Sequence, residues 1–240
     1  MTIASLQKTF KKLVRKPKVS VADVVLNTQL NVEHYFSCPV FLIERPDFLE
    51  AVTTVSEEKL KVKRNEGDLD EIYPVYMSDN FYNDPRVAEF TKFIGSTAWN
   101  ILVGQGYDMQ DMGITFTEMW TQEHHKHSTM DAHVHGFGSQ IVGFYFLETP
   151  ENCSRVVFQD PRAAKVQIDL PEQDISLVTH ASKMINHQPK PGLMILTNSW
   201  LSHSFSSHAA DKPIKFVHFN LTVSPVAKNI NNVFPAAEVI

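Results

Sequence analysis

The sequence predicts an α+β domain in which short strands close into a sandwich or jelly-roll barrel, with two helices packed outside it. Three observations carry this expectation. From Ile114 onward, short runs rich in β-branched and aromatic residues are separated by segments carrying Pro, Gly, Asn or Asp. Before Ile114, two stretches repeat apolar residues with the 3.6-residue period of a helix. The chain has 240 residues, 43% hydrophobic and 20% charged, an ordinary globular composition that can bury one large core or two small ones.

The elements follow in chain order. Residues 1–20 form a basic arm in which Lys8, Lys11, Lys12, Arg15, Lys16 and Lys18 occur without an acidic residue, while Leu6, Phe10, Leu13 and Val14 fall at helical spacing. Such an arm either touches an acidic surface or lies as a solvated helix face on the domain. The rest, 21–240, reads as a single domain, with helical and strand support over 21–113 and a barrel over 114–223. Tyr35 to Ile43 reads as a strand with Pro39 at an edge or entry position, and Pro46 ends it. Asp47 is expected to cap a helix to about Lys61, with Phe48, Val52, Val55 and Leu60 near one face. Lys61 to Asp70 is charged and contains Gly67, which predicts a surface loop. Asp84 followed by Pro85 is a helix start, and Val87, Phe90, Ile94, Ala98, Ile101 and Leu102 keep the helical period as far as Gly104. Strands are then expected at Ile114–Trp120, Gln140–Leu147, Arg155–Gln159, Leu193–Asn198 and Lys215–Val223.

Composition also narrows the function. The longest apolar stretches, such as Ile141 to Leu147, fall far below the roughly 20 residues of a transmembrane helix, so no transmembrane segment is expected. A net charge of −5 gives no general attraction to nucleic acid. Cys38 and Cys153 are read as thiols in a cytoplasmic protein.

Five of the 11 histidines fall between His124 and His135. His133 and His135 stand two apart in a strand-like run, and side chains at i and i+2 of a strand share a face. They can hold one metal ion, with His203 arriving from a distant strand; three imidazoles leave coordination positions open for a substrate or oxygen. His124, His125 and His127 precede that run beside Lys126 and are expected to be ordinary surface histidines.

The segments Glu118-Met-Trp-Thr-Gln122, His133-Val-His-Gly136, Gly143-Phe-Tyr-Phe-Leu147, Val157-Phe-Gln-Asp-Pro-Arg162, Pro191-Gly-Leu-Met-Ile195, Asn198-Ser-Trp-Leu-Ser-His203 and His218-Phe-Asn220 occur in an order that resembles the 2-oxoglutarate and Fe(II)-dependent oxygenases. The branch it most resembles is prolyl-hydroxylase-like and encoded by phages and marine bacteria, which would place the protein in a host cytoplasm if phage-encoded. The resemblance covers about Ile114 to Val223. It implies a double-stranded β-helix, a jelly-roll or cupin-like barrel with flanking N-terminal helices and Fe(II) at its mouth. It implies further that 2-oxoglutarate and O2 are consumed, with release of succinate and CO2 and hydroxylation of a protein side chain or small molecule.

Two departures from that pattern are visible. The family's metal triad is His-x-Asp/Glu with a distal His, but the residue two after His133 is His135. Either three histidines are used, or Asp131 supplies the carboxylate, or His135 stands behind the ligands without touching the metal; the site is read as His133, His135 and His203, with Asp131 as a reserve ligand. The family's clamp for the far carboxylate of 2-oxoglutarate is an Arg about ten residues past the distal His, and no Arg follows His203. Lys212, Lys215, Arg162 and Tyr145 are the candidates to replace it. Trp200 is expected to pack under His203. The missing Arg leaves two other readings open: a cupin-like three-histidine metalloprotein with chemistry that does not use 2-oxoglutarate, and a catalytically inactive binding or virion-associated barrel.

Overall fold

A computed structural model describes Glu33 and residues 35–226 except Phe137 and Asp169. The basic arm lies outside the described residues. All elements below belong to the unit that begins at Cys38.

Strand β1 (Val40–Glu44) follows Pro39 directly, so the proline sits at the entry of a strand that starts later than Tyr35. Helix α1 (Leu49–Glu66) begins after a 3-10 turn at Pro46–Phe48. Asp47 does not cap it; its carboxylate takes two hydrogen bonds from Arg45, at 2.8 and 2.6 Å. The helix also runs five residues past Lys61, because Arg64 is tied to Glu57 at 3.1 Å and to the buried Glu123. The predicted loop at 61–70 is thus largely the last turn of α1. A short strand β2 (Val75–Met77) was not legible in the sequence. Asp84 does cap, accepting from the Arg86 N–H at 3.0 Å, and after a 3-10 turn at Pro85–Val87 the chain enters α2 (Ala88–Gly104).

Eight strands follow: β3 (Met112–His124), β4 (Met130–His133), β5 (Ser139–Glu148), β6 (Val156–Gln159), β7 (Met184–His187), β8 (Leu193–Asn198), β9 (His203–Phe205) and β10 (Ile214–Pro225), with a short helix α3 (Ala163–Gln167) after β6. All strand pairings are antiparallel. One sheet has the order β1-β8-β5-β10-β3-β2 and the other β4-β9-β6-β7. From β3 to β10 the chain passes back and forth between the two sheets, which makes the barrel a double-stranded β-helix. The three-residue β9 and the four-residue β7 escape sequence reading because they are too short to show alternation.

The large sheet is buried on both faces, and strand periodicity sorts its side chains between two cores. Ile141, Tyr145 and Leu147 of β5, Met194 and Leu196 of β8, and Val217, Phe219 and Leu221 of β10 face the helices, where they meet Val52 and Val55 of α1 and Phe90, Ile94 and Ala98 of α2. The alternate residues Val142, Phe144, Phe146, Ile195, Ile214 and Phe216 face the small sheet, where Val156, Phe158 and Phe205 close the barrel interior. Among the described residues no helix is long and apolar enough to cross a membrane.

Gly143 lies opposite Phe219 across the β5–β10 pair. A Cβ there would strike the Phe219 ring and come within 2.9 Å of the Ile195 carbonyl oxygen. Gly143→Ala is expected to destabilise the fold by about 1–3 kcal/mol, the usual range for overpacking a filled core, read as a lower urea midpoint at unchanged m-value.

Candidate metal centre

The site is built at the junction of β4 and β9. His133, the last residue of β4, is paired directly with His203, the first residue of β9. Cross-strand neighbours bring side chains together, and the two ring centroids are 4.6 Å apart. His135 lies two residues beyond the end of β4, so the shared-face argument that singled it out does not apply. Its position comes instead from a backbone hydrogen bond, His135 N–H to the Ser199 carbonyl at 2.9 Å. That bond brings the His135 ring parallel to His203, with centroids 5.1 Å apart and the two Nε2 atoms at 3.2 Å. Candidate ligand atoms of His133, His135 and His203 all lie within 4.8 Å of one another.

The rings are prepared as neutral donors. His133 Nδ1 is 2.8 Å from the Asp131 carbonyl oxygen, and His203 Nδ1 is 3.0 Å from that of Leu201. Each Nδ1 carries the proton and donates it to the carbonyl, so the Nε2 lone pair is left free, the usual outer support of a metal-binding imidazole. His203 is fully buried against Phe144 and Phe158, at 5.3 and 6.2 Å. Burial lowers its pKa to about 4 and that of His135 to about 4, with the neighbouring imidazoles adding to both. Three converging imidazole nitrogens, two of them with Nδ1 engaged by a backbone carbonyl, fit a first-row divalent metal ion.

Asp131 does not join this group. Its side chain is exposed and it serves the site through its carbonyl. The clamp candidates do not converge on the histidines either. Tyr145 and Lys215 occupy the helix-facing positions of β5 and β10: the Tyr145 hydroxyl donates to the Arg45 carbonyl at 2.7 Å, and Lys215 binds Glu57 at 2.6 Å and Glu148 at 3.0 Å. Arg162 is exposed and grips Asp160 through two contacts of 2.9 and 2.8 Å. Lys212 is exposed and contributes its carbonyl to His208 Nε2 at 2.8 Å. Trp200 is not under His203. The turn after β8 buries Leu201 and turns Trp200 outward, 45% exposed, to line a cavity of 430 Å³ with Tyr107, Met109 and Met112.

His124 is not a surface residue. It ends β3 inside the barrel, fully buried, with Nε2 2.8 Å from Gln122 Oε1, and burial lowers its pKa to about 3. His125 turns the other way to Glu123 Oε1 at 2.8 Å. Sequence reasoning named His218 only as part of a family motif and gave it no role; it is 2% exposed and lies ring to ring with His135 at 5.0 Å. Neither of its nitrogens has a partner among the described residues, and the same holds for Trp120 Nε1 beside it and for Asn220 Oδ1. The available signal was a pair of polar residues, His218 and Asn220, at alternate positions within the run Phe216–Leu221, whose other residues are all apolar.

Residues 118–220 match the sequence profile of a family described as "Putative 2OG-Fe(II) oxygenase". By that profile the segment is similar to the 2OG-Fe(II) oxygenases. The match begins within β3 and ends within β10, so it spans the barrel and all three clustered histidines. No curated protein sequence matches the chain. Among solved structures, AviO1 from Streptomyces viridochromogenes is similar, with a TM-score of 0.54 at 11% identity over 80% of this chain and 92% of that one. A prolyl-4-hydroxylase from Pseudomonas putida is similar with a TM-score of 0.52 at 8% identity over 77% and 93%. At such identities the likeness is one of fold. The matched segment thus brings together a barrel and three clustered histidines that could hold a metal ion.

Histidines 124, 135, 187, 203, 208 and 218 all have pKa values lowered chiefly by burial. Unfolded histidines protonate near 6.5. Below that pH the unfolded chain takes up protons that the fold refuses, so this contribution to stability is complete above about 6.5 and is lost as pH falls toward about 4. The metal-free protein is expected to lose about 1.4 kcal/mol per pH unit in that window for each ring kept neutral. Equal urea midpoints at pH 7.5 and 5.0 would show that the rings are not held in that way.

Proposed function

We propose that the protein is an Fe(II)- and 2-oxoglutarate-dependent dioxygenase in which His133, His135 and His203 hold the iron, and that it hydroxylates a protein side chain or a small molecule. The observation that carries this reading is the convergence of three imidazoles within 4.8 Å, two of them committed to a single tautomer by backbone carbonyls. Fe(II) with 2-oxoglutarate supplies oxygen activation: 2-oxoglutarate, O2 and R–H become succinate, CO2 and R–OH.

The chain's own contribution is positioning and exclusion of water. The Asp131 and Leu201 carbonyls keep the Nε2 lone pairs of His133 and His203 available without rearrangement. Phe144 and Phe158 form an apolar wall against His203, which keeps water from that side of the reacting atoms. With three neutral ligands the protein cancels none of the ion's charge, so an anionic chelator is attracted more strongly than at a site with a carboxylate ligand. The reading includes a cytoplasmic location, as expected for a chain whose only cysteines are Cys38 and Cys153.

The second reading is a three-histidine metalloprotein with other chemistry. It is favoured by the missing arginine and by Ile214, fully buried on the barrel-facing side of β10 in the position expected for that clamp. Anaerobic loading with Fe(II) and then 2-oxoglutarate separates the two. The first reading expects a metal-to-ligand charge-transfer band and succinate once oxygen is admitted; tight metal binding with neither would favour the second. Equilibrium dialysis of the variants tests the ligands: His203→Ala is expected to abolish Fe(II) binding, and His125→Ala, whose ring is engaged with Glu123, to leave it intact. Equal loss from both would refute the assignment.

A further inference from the structure

The barrel interior is mostly aromatic and aliphatic, yet four of the eight buried side-chain polar atoms without a partner among the described residues belong to Trp120, His218 and Asn220 on the paired strands β3 and β10. His218 of β10 faces Trp120 of β3 across the strand pair, with ring centroids 4.6 Å apart. Both nitrogens of His218, the Trp120 Nε1 and the Asn220 Oδ1 are buried and unpartnered among the described residues. A structure leaves buried polar atoms unmet where something else is to meet them. The group is one ring away from the proposed metal ligands, since His218 lies 5.0 Å from His135 and tilted from it by only 29°.

The donor count indicates what the group would take. An indole nitrogen only donates, and a neutral imidazole donates once whichever tautomer it adopts. Two N–H donors side by side suit the two oxygens of a carboxylate. The other ring nitrogen and Asn220 Oδ1 are acceptors that a water beside such a ligand can satisfy. The Glu118 carboxylate accepts from Asn220 Nδ2 at 2.7 Å.

We propose that Trp120 and His218 hold the far carboxylate of 2-oxoglutarate, in place of the arginine that this chain lacks. This rests on reading the centre as 2-oxoglutarate-dependent. Neither residue need be charged. The attraction of the unneutralised metal centre for an anion and two short-range N–H bonds replace one guanidinium.

The test compares two probes on the anaerobic, Fe(II)-loaded full chain by calorimetry: 2-oxoglutarate, and 2-oxopentanoate, which has the same chain and chelating end but no far carboxylate. Trp120→Phe and His218→Phe are each expected to weaken 2-oxoglutarate binding about tenfold, equivalent to about 1.4 kcal/mol, with 2-oxopentanoate and Fe(II) affinity nearly unchanged. His218→Gln, which retains an N–H donor, is expected to recover part of the loss. Equal weakening of both probes would show a packing role for the metal ligands and overturn the assignment, as would unchanged 2-oxoglutarate affinity. If the parent protein binds Fe(II) but neither probe, the dioxygenase reading itself fails; if it binds both probes equally, that reading survives and only the carboxylate site is lost.

Discussion

Burial of the large sheet on both faces is the constraint from which the remaining arrangement follows. β5, β8 and β10 have helices on one side and the small sheet on the other, so each residue belongs to one of two interiors according to the parity of its position. The sorting is strict. Phe144 reaches His203 while Tyr145 reaches the Arg45 carbonyl; His218 stacks beside His135 while Lys215 joins the carboxylates of Glu57 and Glu148. A side chain on the wrong face cannot be brought to the metal centre by any rotamer, whatever its chemistry.

The same constraint explains the electrostatic division of the molecule. On the helix side, Glu123, only 2% exposed, is compensated by Arg64 and His125, with Lys215 at 3.8 Å. A buried carboxylate needs such company, because desolvation without a partner would push it to the neutral form. On the barrel side, burial lowers the pKa of His135 and His203, and His203 is surrounded by aromatic rings. The ionic network braces α1 against the sheet, and the neutral interior is kept for the ligand.

Much of the fold was legible because it depends on local period and on punctuation. Five strands, four of them six residues or longer, the helix start at Asp84 and Pro85, and the buried stripe of α2 all follow from spacing and composition. Asp47 failed as a cap because Arg45 is a stronger partner for its carboxylate than a backbone N–H. The end of α1 was misjudged because a charged turn reads as a loop unless the distant Glu123 is known to receive Arg64. At the centre, His133 and His203 were found by motif, but the cross-strand pairing that joins them is a long-range fact. Parity removed Tyr145 and Lys215 and brought in His218, and parity requires the strand register, which bulges such as that at Asn220 shift.

His135 stands outside any strand and is held by one hydrogen bond to Ser199, whereas His133 and His203 are fixed in a paired ladder. Two of the three candidate ligand positions are therefore set by strand pairing, and the third by a backbone tether and the two rings it stacks between. In mechanical terms the cluster is a vice with jaws of different make. The paired histidines would fix where a metal sits, and the tethered ring would close the site from a loop rather than from a sheet.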